Sequence, residues 1–335
     1  MWGRTLRSGA IAGISLLALS AAPGIAADLA PKVMPAEAAV PAETTVADFI
    51  FGGRFQSDYN FRGVSQSNRQ PSGQSYFELQ LFDNFLYGGF ATYKTDLPTR
   101  PIMEFDVTGG IRPKFGPLAF DLGFIYYHYP DERQLLDPLN GFAPLSLRDT
   151  DFVELAAKAA YTYNEQLTLG VNVFHAPSLL NTGAPGTYVS GTAKYTLPED
   201  TFGIPGTFAL SAEFGHYFLG RTGAALGNIQ LPEYNYGNVG VSYTYGIATL
   251  DVRFHDTDLT KRDCFTFTGD PRGFSRGSGT SNWCGDAIIA TLSVDLVGSK
   301  LNGIFASDAP AAAAPTPMER GAPPRARDAT GQAIR

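Results

Sequence analysis

Residues 48–63 read DFIFGGRFQSDYNFRG. Phe49, Phe51, Gly53, Phe55, Ser57, Tyr59 and Phe61 occupy the odd positions; Ile50, Gly52, Arg54, Gln56, Asp58, Asn60 and Arg62 occupy the even ones. Strict alternation of this kind marks a strand with two unlike faces. In a soluble sheet the aromatic face is core. In a transmembrane barrel it meets lipid and the charged face lines a lumen. The rest of the chain decides between the two.

The same period recurs through about residue 297. It predicts twelve strands, roughly 48–61, 75–82, 85–95, 103–112, 118–129, 152–163, 166–176, 187–197, 206–218, 234–245, 247–257 and 286–297. Most match the roughly 9–11 residues a tilted strand needs to cross a bilayer, whereas strands of soluble domains average about 5–6. Odd-numbered connections are long: GVSQSNRQPSG, Asp96–Ile102, Pro130–Asp151, APSLLNTGAPG, LGRTGAALGNIQLPE and Asp258–Gly285. Even-numbered ones are short: Asp83-Asn84, PKFGP, Asn164-Glu165 and Tyr245-Gly246, with PEDTFGIPG of medium length. A soluble sandwich has no reason to sort loops by parity, but a barrel with both termini in the periplasm does. The fold expected is all-β, a transmembrane antiparallel up-and-down barrel of about twelve strands.

Composition agrees. Charged residues make up 17% of the 335-residue chain, below the roughly 25% of soluble domains, and Gly, Phe and Tyr are abundant. Arg4 and Arg7, the apolar run Ile11 to Ala18, and small residues around Gly24–Ala27 read as a secretory signal over 1–27. Losing those two arginines takes the net charge from −7 to −9, which argues against nucleic acid as a partner. Residues 28–47 read as a flexible lead-in, 48–297 as the barrel, and 298–335 as a disordered Ala/Pro-rich periplasmic tail.

The polar faces assign Arg54, Gln56, Asp58, Arg62, Glu78, Lys94, Glu104, Asp106, Arg112, Asp121, Glu154, Lys158, Lys194, Glu213, Asp251 and Arg253 to the lumen. Phe49, Phe51, Phe55, Tyr59 and Phe61 go to lipid, and Arg62-Gly63 falls at the outer rim. Near-balanced charge suits a narrow channel for passive diffusion of small hydrophilic solutes. The alternative is a closed-lumen structural or surface-interaction barrel acting through its outer loops. An outer-membrane enzyme is a distant third. The nearest nucleophile–base pairing is His175 with Ser178, and His255, Asp256, Asp258 and Asp263 form the nearest acidic–histidine group. Cys264 and Cys284 share one long outer loop of an exported protein, which predicts a disulfide. No metal and no cofactor is expected. The expected partners are outer-membrane lipid, the barrel-assembly machinery and small hydrophilic solutes; oligomeric state stays open.

SDYNFRGVSQSNRQPSGQSYFEL (57–79), FLYGGFATYKTD (85–96), EFDVTGGIRPKFGPLAFDLGFIYYHYP (104–130) and GVSYTYGIATLDVRFHDTDL (240–259) resemble the TorF-like family, proteobacterial proteins assigned as outer-membrane porins. The opening motif is met by Tyr59, Phe61, Arg62, Gly63, Ser65 and Gln66, and a second motif by Leu122 to Pro130 with Phe124 at its free position. The resemblance covers about residues 50–297 and implies a channel in the outer membrane of a Gram-negative bacterium, with no substrate specified. The chain departs from such families at its end. Their last strand closes on an aromatic residue, whereas here it closes near Leu296, Phe305 follows, and a tail continues.

Overall fold

The computed structural model describes residues 46–134, 136–137, 143–144, 148–199 and 201–301. The stretch read as a signal peptide, most of the expected lead-in and the expected tail beyond 301 lie outside the described residues.

Twelve antiparallel strands close on themselves. They are β1 (Ala47–Gln56), β2 (Ser72–Leu81), β3 (Leu86–Tyr93), β4 (Glu104–Ile111), β5 (Leu118–His128), β6 (Phe152–Thr162), β7 (Leu167–Ala176), β8 (Gly186–Thr196), β9 (Thr207–Leu219), β10 (Tyr234–Tyr245), β11 (Ala248–Thr257) and β12 (Ala287–Val297). Each pairs with its neighbours in sequence, and β12 returns to β1, setting Phe51 against Leu296 and Phe55 against Leu292. Full closure leaves no unpaired edge, the condition for a sheet to sit in hydrocarbon.

The outward face is an apolar belt. Phe51 on β1, Leu155 on β6, Phe214 on β9, Val239 on β10 and Ile288 on β12 are 50–75% exposed. Leu79, Phe90, Val107, Phe124, Val171 and Val252 continue the band on strands between, and Leu292 extends it along β12. Soluble proteins do not leave such a surface to water. Phe82, Phe85, Phe115, Tyr163, Phe202 and Tyr245 ring the end that carries the short turns, as an interfacial aromatic girdle would.

Close approach of the strands needs glycine at one point inside. The Tyr87 ring lies over Gly110 and Gly123 on the two strands beyond it. A Cβ on Gly123 would sit 2.5 Å from the Gly109 carbonyl oxygen and 2.6 Å from the Tyr87 hydroxyl. Gly123→Val therefore drives Tyr87 off Asp121, its hydrogen-bond acceptor at 2.7 Å. Overpacking of this kind costs about 1–3 kcal/mol. Urea unfolding in lipid vesicles measures it, and an unchanged midpoint would show that the ring has room to move.

Three expectations need correction. The first strand ends at Gln56, not near residue 61. Asn60–Phe61 instead pairs with Val64–Ser65 in a small hairpin of its own. Its two turn residues, Arg62 (φ 47°) and Gly63 (φ 86°), both have positive φ, the requirement of the tight hairpin turn. A Cβ on Gly63 would lie 2.0 Å from the Thr257 Cγ2 methyl. The hairpin turns the chain inward, so Tyr59 (1% exposed) and Phe61 face the interior, not lipid, and Arg62 is buried rather than at the rim. Last, the connection Asp258–Gly285, expected only as a long loop, forms α1 (Lys261–Thr268) and α2 (Pro271–Ser275). Thr260 and Asp270 cap them, each accepting a backbone N–H, but elements this short carry no periodic signal.

Candidate functional site: the lumen and its inserted segment

Inward residues sort by height. Toward the turn end of β6–β12 they are small and polar, and Thr162, Thr168, Thr192, Ser242, Thr244, Thr249, Asp251 and Thr291 remain partly exposed, whereas on β2–β5 the turn end is filled by buried Glu78, Tyr87, Arg112 and Asp121. Toward the loop end they are large and buried. Tyr76, Tyr93, Tyr127, Tyr188, Tyr217, Tyr234 and Tyr236 are all at 2% exposure or below. The loop-end half of the barrel is thus filled, and the partly exposed polar part of the interior lies at the turn end of β6–β12.

The filling includes a segment that belongs to no wall. Between β1 and β2, Asp58, Tyr59, Asn60, Arg62, Val64, Ser65 and Ser67 are buried inside the barrel. Asp58 ties the segment to itself, accepting from the Ser65 hydroxyl at 2.6 Å and the Ser67 hydroxyl at 2.9 Å, with Arg69 Nη1 at 3.7 Å. Burial pushes the Asp58 carboxyl above its ordinary range, and those three partners oppose the shift without cancelling it.

Arg62 anchors the tip. Its guanidinium donates to both Glu154 oxygens, at 2.7 and 2.9 Å. It also lies 4.5–5.0 Å from the ring centres of Phe61, Phe174, Tyr188 and Tyr217. Arginine suits this place because a planar fork meets a carboxylate with two bonds while its faces meet aromatic rings. Tyr127 donates to Glu154 at 3.0 Å, and Tyr234 donates to the Arg62 carbonyl at 3.1 Å.

Two further networks brace the wall. Arg112 bonds Glu78 at 2.6 and 2.9 Å and Asp121 at 3.2 Å, with its guanidinium 3.6 Å from the Tyr87 ring centre. Lys158 Nζ stands 4.0 Å from Asp121. The void of about 10 Å³ between these groups has room for a single water. On the other side Arg253 donates to Asn238, Ser211 and Asp251, Tyr188 donates to Glu213, and Tyr236 pairs with His255.

The outer loops latch the segment from above. Ser65 N–H donates to the Trp283 carbonyl at 2.9 Å, Arg69 donates to the Asn282 and Cys284 carbonyls, and Trp283 Nε1 donates to Asn68. Trp283 is beside Cys284, which is disulfide-bonded to Cys264. Closing that loop covalently limits how far the latch can open.

Of the residues assigned to the lumen, Gln56, Asp58, Arg62, Glu78, Glu104, Asp106, Arg112, Asp121, Glu154, Glu213 and Arg253 are buried inside the barrel, and Arg54, Lys158 and Asp251 are half-buried there. Lys194 is exposed but pairs in register with inward-facing Ser211. Lys94 is the exception. It lies past the end of β3 on the exposed parity of Leu86 and Phe90, and donates to the Pro71 carbonyl at 3.1 Å. Its charge suggested the lumen, but the inward positions of β3 are Tyr87, Ala91 and Tyr93. Arg54 differs from the other inward arginines. Among the described residues its one partner is the Tyr76 ring, 5.1 Å away.

The candidate catalytic pairings come apart. His175 bonds Thr187, and Ser178 accepts from Gly183 N–H. His255 faces the interior, whereas Asp258 holds Asn235 and Asp263, in the first turn of α1, accepts from the Thr260 hydroxyl. Another acidic group lies in the long connection between β5 and β6, Glu132 with Asp149 and Asp151. Burial raises the Asp151 carboxyl, but hydrogen bonds from the Tyr126 hydroxyl, Tyr129 N–H and His128 outweigh it and hold the carboxyl below its ordinary value. A lowered folded-state pKa means stability that is present above the unfolded value and lost as pH falls through the folded one. Hydrogen exchange of Tyr129 N–H should therefore accelerate in strong acid. In Asp151→Asn it should already be fast at neutral pH; equal protection in the variant would rule this account out.

Closed antiparallel barrels with an apolar outer belt and a polar interior form the transmembrane class, and this chain has that architecture. Residues 38–207 match the profile of a family described as bacterial protein of unknown function (Gcw_chp). The chain belongs to that family. No curated protein matches it. Among solved structures it is similar to the KdgM porin in complex with disordered oligogalacturonate, at 9% identity over 75% of this chain and 98% of that one, TM-score 0.39. It is similar to the NanC porin at 10% identity over 75% and 98%, TM-score 0.39. The toluene transporter TodX of Pseudomonas putida is 10% identical over 75% and 88%, TM-score 0.37.

Proposed function

We propose that the protein is an outer-membrane channel of porin type for passive passage of small hydrophilic solutes, held closed in this conformation by the segment between β1 and β2. The observation that carries the reading is a loop-end half filled by a segment that is not part of the wall, against small, partly exposed polar residues at the turn end of β6–β12. A wall closed by its own side chains would have no moving part, whereas a loop can leave. The outer-membrane location rests on the apolar belt and on the signal peptide read from the sequence. The TorF-like resemblance supports the same reading, and no catalytic step is assigned to the chain. On this reading the protein's partners are lipid, the assembly machinery and permeating solutes.

A second reading, a permanently closed barrel that acts through its outer loops, is favoured by the depth of the Arg62–Glu154 pair, at 8% and 0% side-chain exposure. Planar-bilayer recording separates the two. The channel reading expects the full chain to rest near baseline and a barrel with the inserted segment shortened to conduct in steps. A correctly folded, shortened barrel that stays silent would leave the second reading standing.

A further inference from the structure

We infer that the inner wall at Arg54 carries a subsite for a small hydroxy acid, a solute with a carboxylate beside a hydroxyl. Arg54 lies on the inner face of β1, opposite Gln74 on β2 and Ser293 on β12. Gln56 is the next inward residue along β1, opposite Ser72 and Thr291. Neighbouring strands stand about 4.8 Å apart and alternate residues about 6.7 Å apart, so Arg54, Gln56, Gln74, Thr291 and Ser293 share a patch of about 10 by 7 Å. Thr291 belongs to the partly exposed polar part of the interior, and Arg54 is half-buried beside it. A solute in that part of the lumen therefore reaches the guanidinium.

The patch has more hydrogen-bonding capacity than its own residues use. Among the described residues the Arg54 guanidinium meets only the face of the Tyr76 ring, 5.1 Å away. The inward acids of β11 and β12 are engaged elsewhere: Asp251 accepts from Arg253 at 3.2 and 2.9 Å, and Asp295 accepts from the Tyr76 hydroxyl. Gln56 Nε2 and Gln74 Oε1 are buried without a partner, in residues 9% and 7% exposed. Buried amide atoms left unmet are costly, and each specifies what would meet it. An arginine fork with no acid of its own takes a carboxylate through two parallel bonds. Gln56 Nε2 adds a further donor. Gln74 Oε1 can only accept, so it repels a carboxylate oxygen and takes an O–H. Donors on β1 beside an acceptor on β2 fit a carboxylate with a hydroxyl on the adjacent carbon. A plain carboxylate leaves Gln74 unmet, and a diol leaves Arg54 unmet. The subsite deepens the channel reading, on which its role as a station for passing solute rests.

Lactate, propionate and 1,2-propanediol share a three-carbon skeleton and differ in the carboxylate and hydroxyl they carry. The full chain, folded in deuterated detergent micelles, should bind lactate saturably in saturation-transfer NMR. Lactate should bind about threefold or more tighter than propionate, and the diol should give no saturable signal. Arg54→Gln should weaken lactate by about tenfold or more. Gln74→Leu should bring lactate down to the propionate level and leave propionate unchanged. Lys194 is a competing cation of the lumen, so Lys194→Gln should keep lactate binding. Heat-modifiable gel mobility checks that each variant has formed its barrel. Lactate that does not bind, lactate and propionate that bind equally, affinity unchanged in Arg54→Gln, or binding lost in Lys194→Gln would each overturn the subsite. The three-solute comparison on the parent decides even if a variant does not fold. Stepwise conductance of the shortened barrel with no lactate binding would keep the channel and remove the subsite; lactate binding beside a silent barrel would do the reverse.

Discussion

Replacing Arg62 with alanine should lower the unfolding free energy of the barrel by about 3–5 kcal/mol, the usual consequence of removing one partner from a buried ion pair. Glu154 is fully buried and its two oxygens are matched to the guanidinium fork. Without Arg62 it keeps only the Tyr127 hydroxyl. Four aromatic rings also lose the cation between them, so the space cannot be refilled by a small movement. The control is Arg62→Met with Glu154→Gln, which removes both charges while keeping much of the volume and should restore most of the loss. Urea unfolding in phospholipid vesicles, followed by circular dichroism, measures all three. A loss below about 1 kcal/mol in the single variant would mean that water already reaches the pair, contrary to its burial.

Excising the inserted segment should turn a quiet bilayer into a conducting one. Replacing residues 58–70 by a short Gly/Ser linker removes the buried side chains that fill the loop-end half, from Asp58 to Ser67. It also removes the partner of Glu154, so the excision is best combined with Glu154→Gln. The wall that remains is a twelve-stranded barrel, wider than the packed eight-stranded forms and narrower than sixteen-stranded porins. Stepwise conductance is expected in planar bilayers, against rare or no events in the full chain. Heat-modifiable mobility must first show that the shortened barrel has formed. Silence from such a barrel would place the block in the wall, with the tyrosine ring itself as the seal.

The strand count and order were readable because one signal was repeated. Period-2 alternation located the strands to within a few residues, the end of the first apart, and loop parity marked the end that carries the short turns. The inserted segment was not readable in the same way, because 57–61 continues the alternation of β1 without a break and only Arg62-Gly63 marks the turn. Polar inward positions were found by their charge, which is why Glu78, Glu104, Asp106, Arg112, Asp121 and Glu154 were recovered and Lys94 was misplaced. The inward tyrosines were missed for the converse reason: they carry no charge to mark the lumen, and Tyr59 was assigned to lipid by its chemistry. Parity held the better answer. Tyr76 alternates with Gln74 and Glu78, Tyr188 with Ser190, and Tyr236 with Asn238, so each shares the face of a polar neighbour. A phenol carries a ring that fills space and a hydroxyl that meets a buried carboxylate, and this lumen uses both ends.

The inserted segment also has a consequence for how the molecule is made. It leaves the chain early, directly after β1, yet it touches Glu104, Glu154, Phe174, Tyr234 and Trp283, which span nearly the whole barrel sequence. Its seat does not exist until the last strands have been added, and β1 is one side of the seam that β12 must close. Contacts of such long sequence separation form late. Filling of the interior and sealing of the seam are therefore one event at the end of assembly, and a barrel that has seated its segment is one whose every strand is in place.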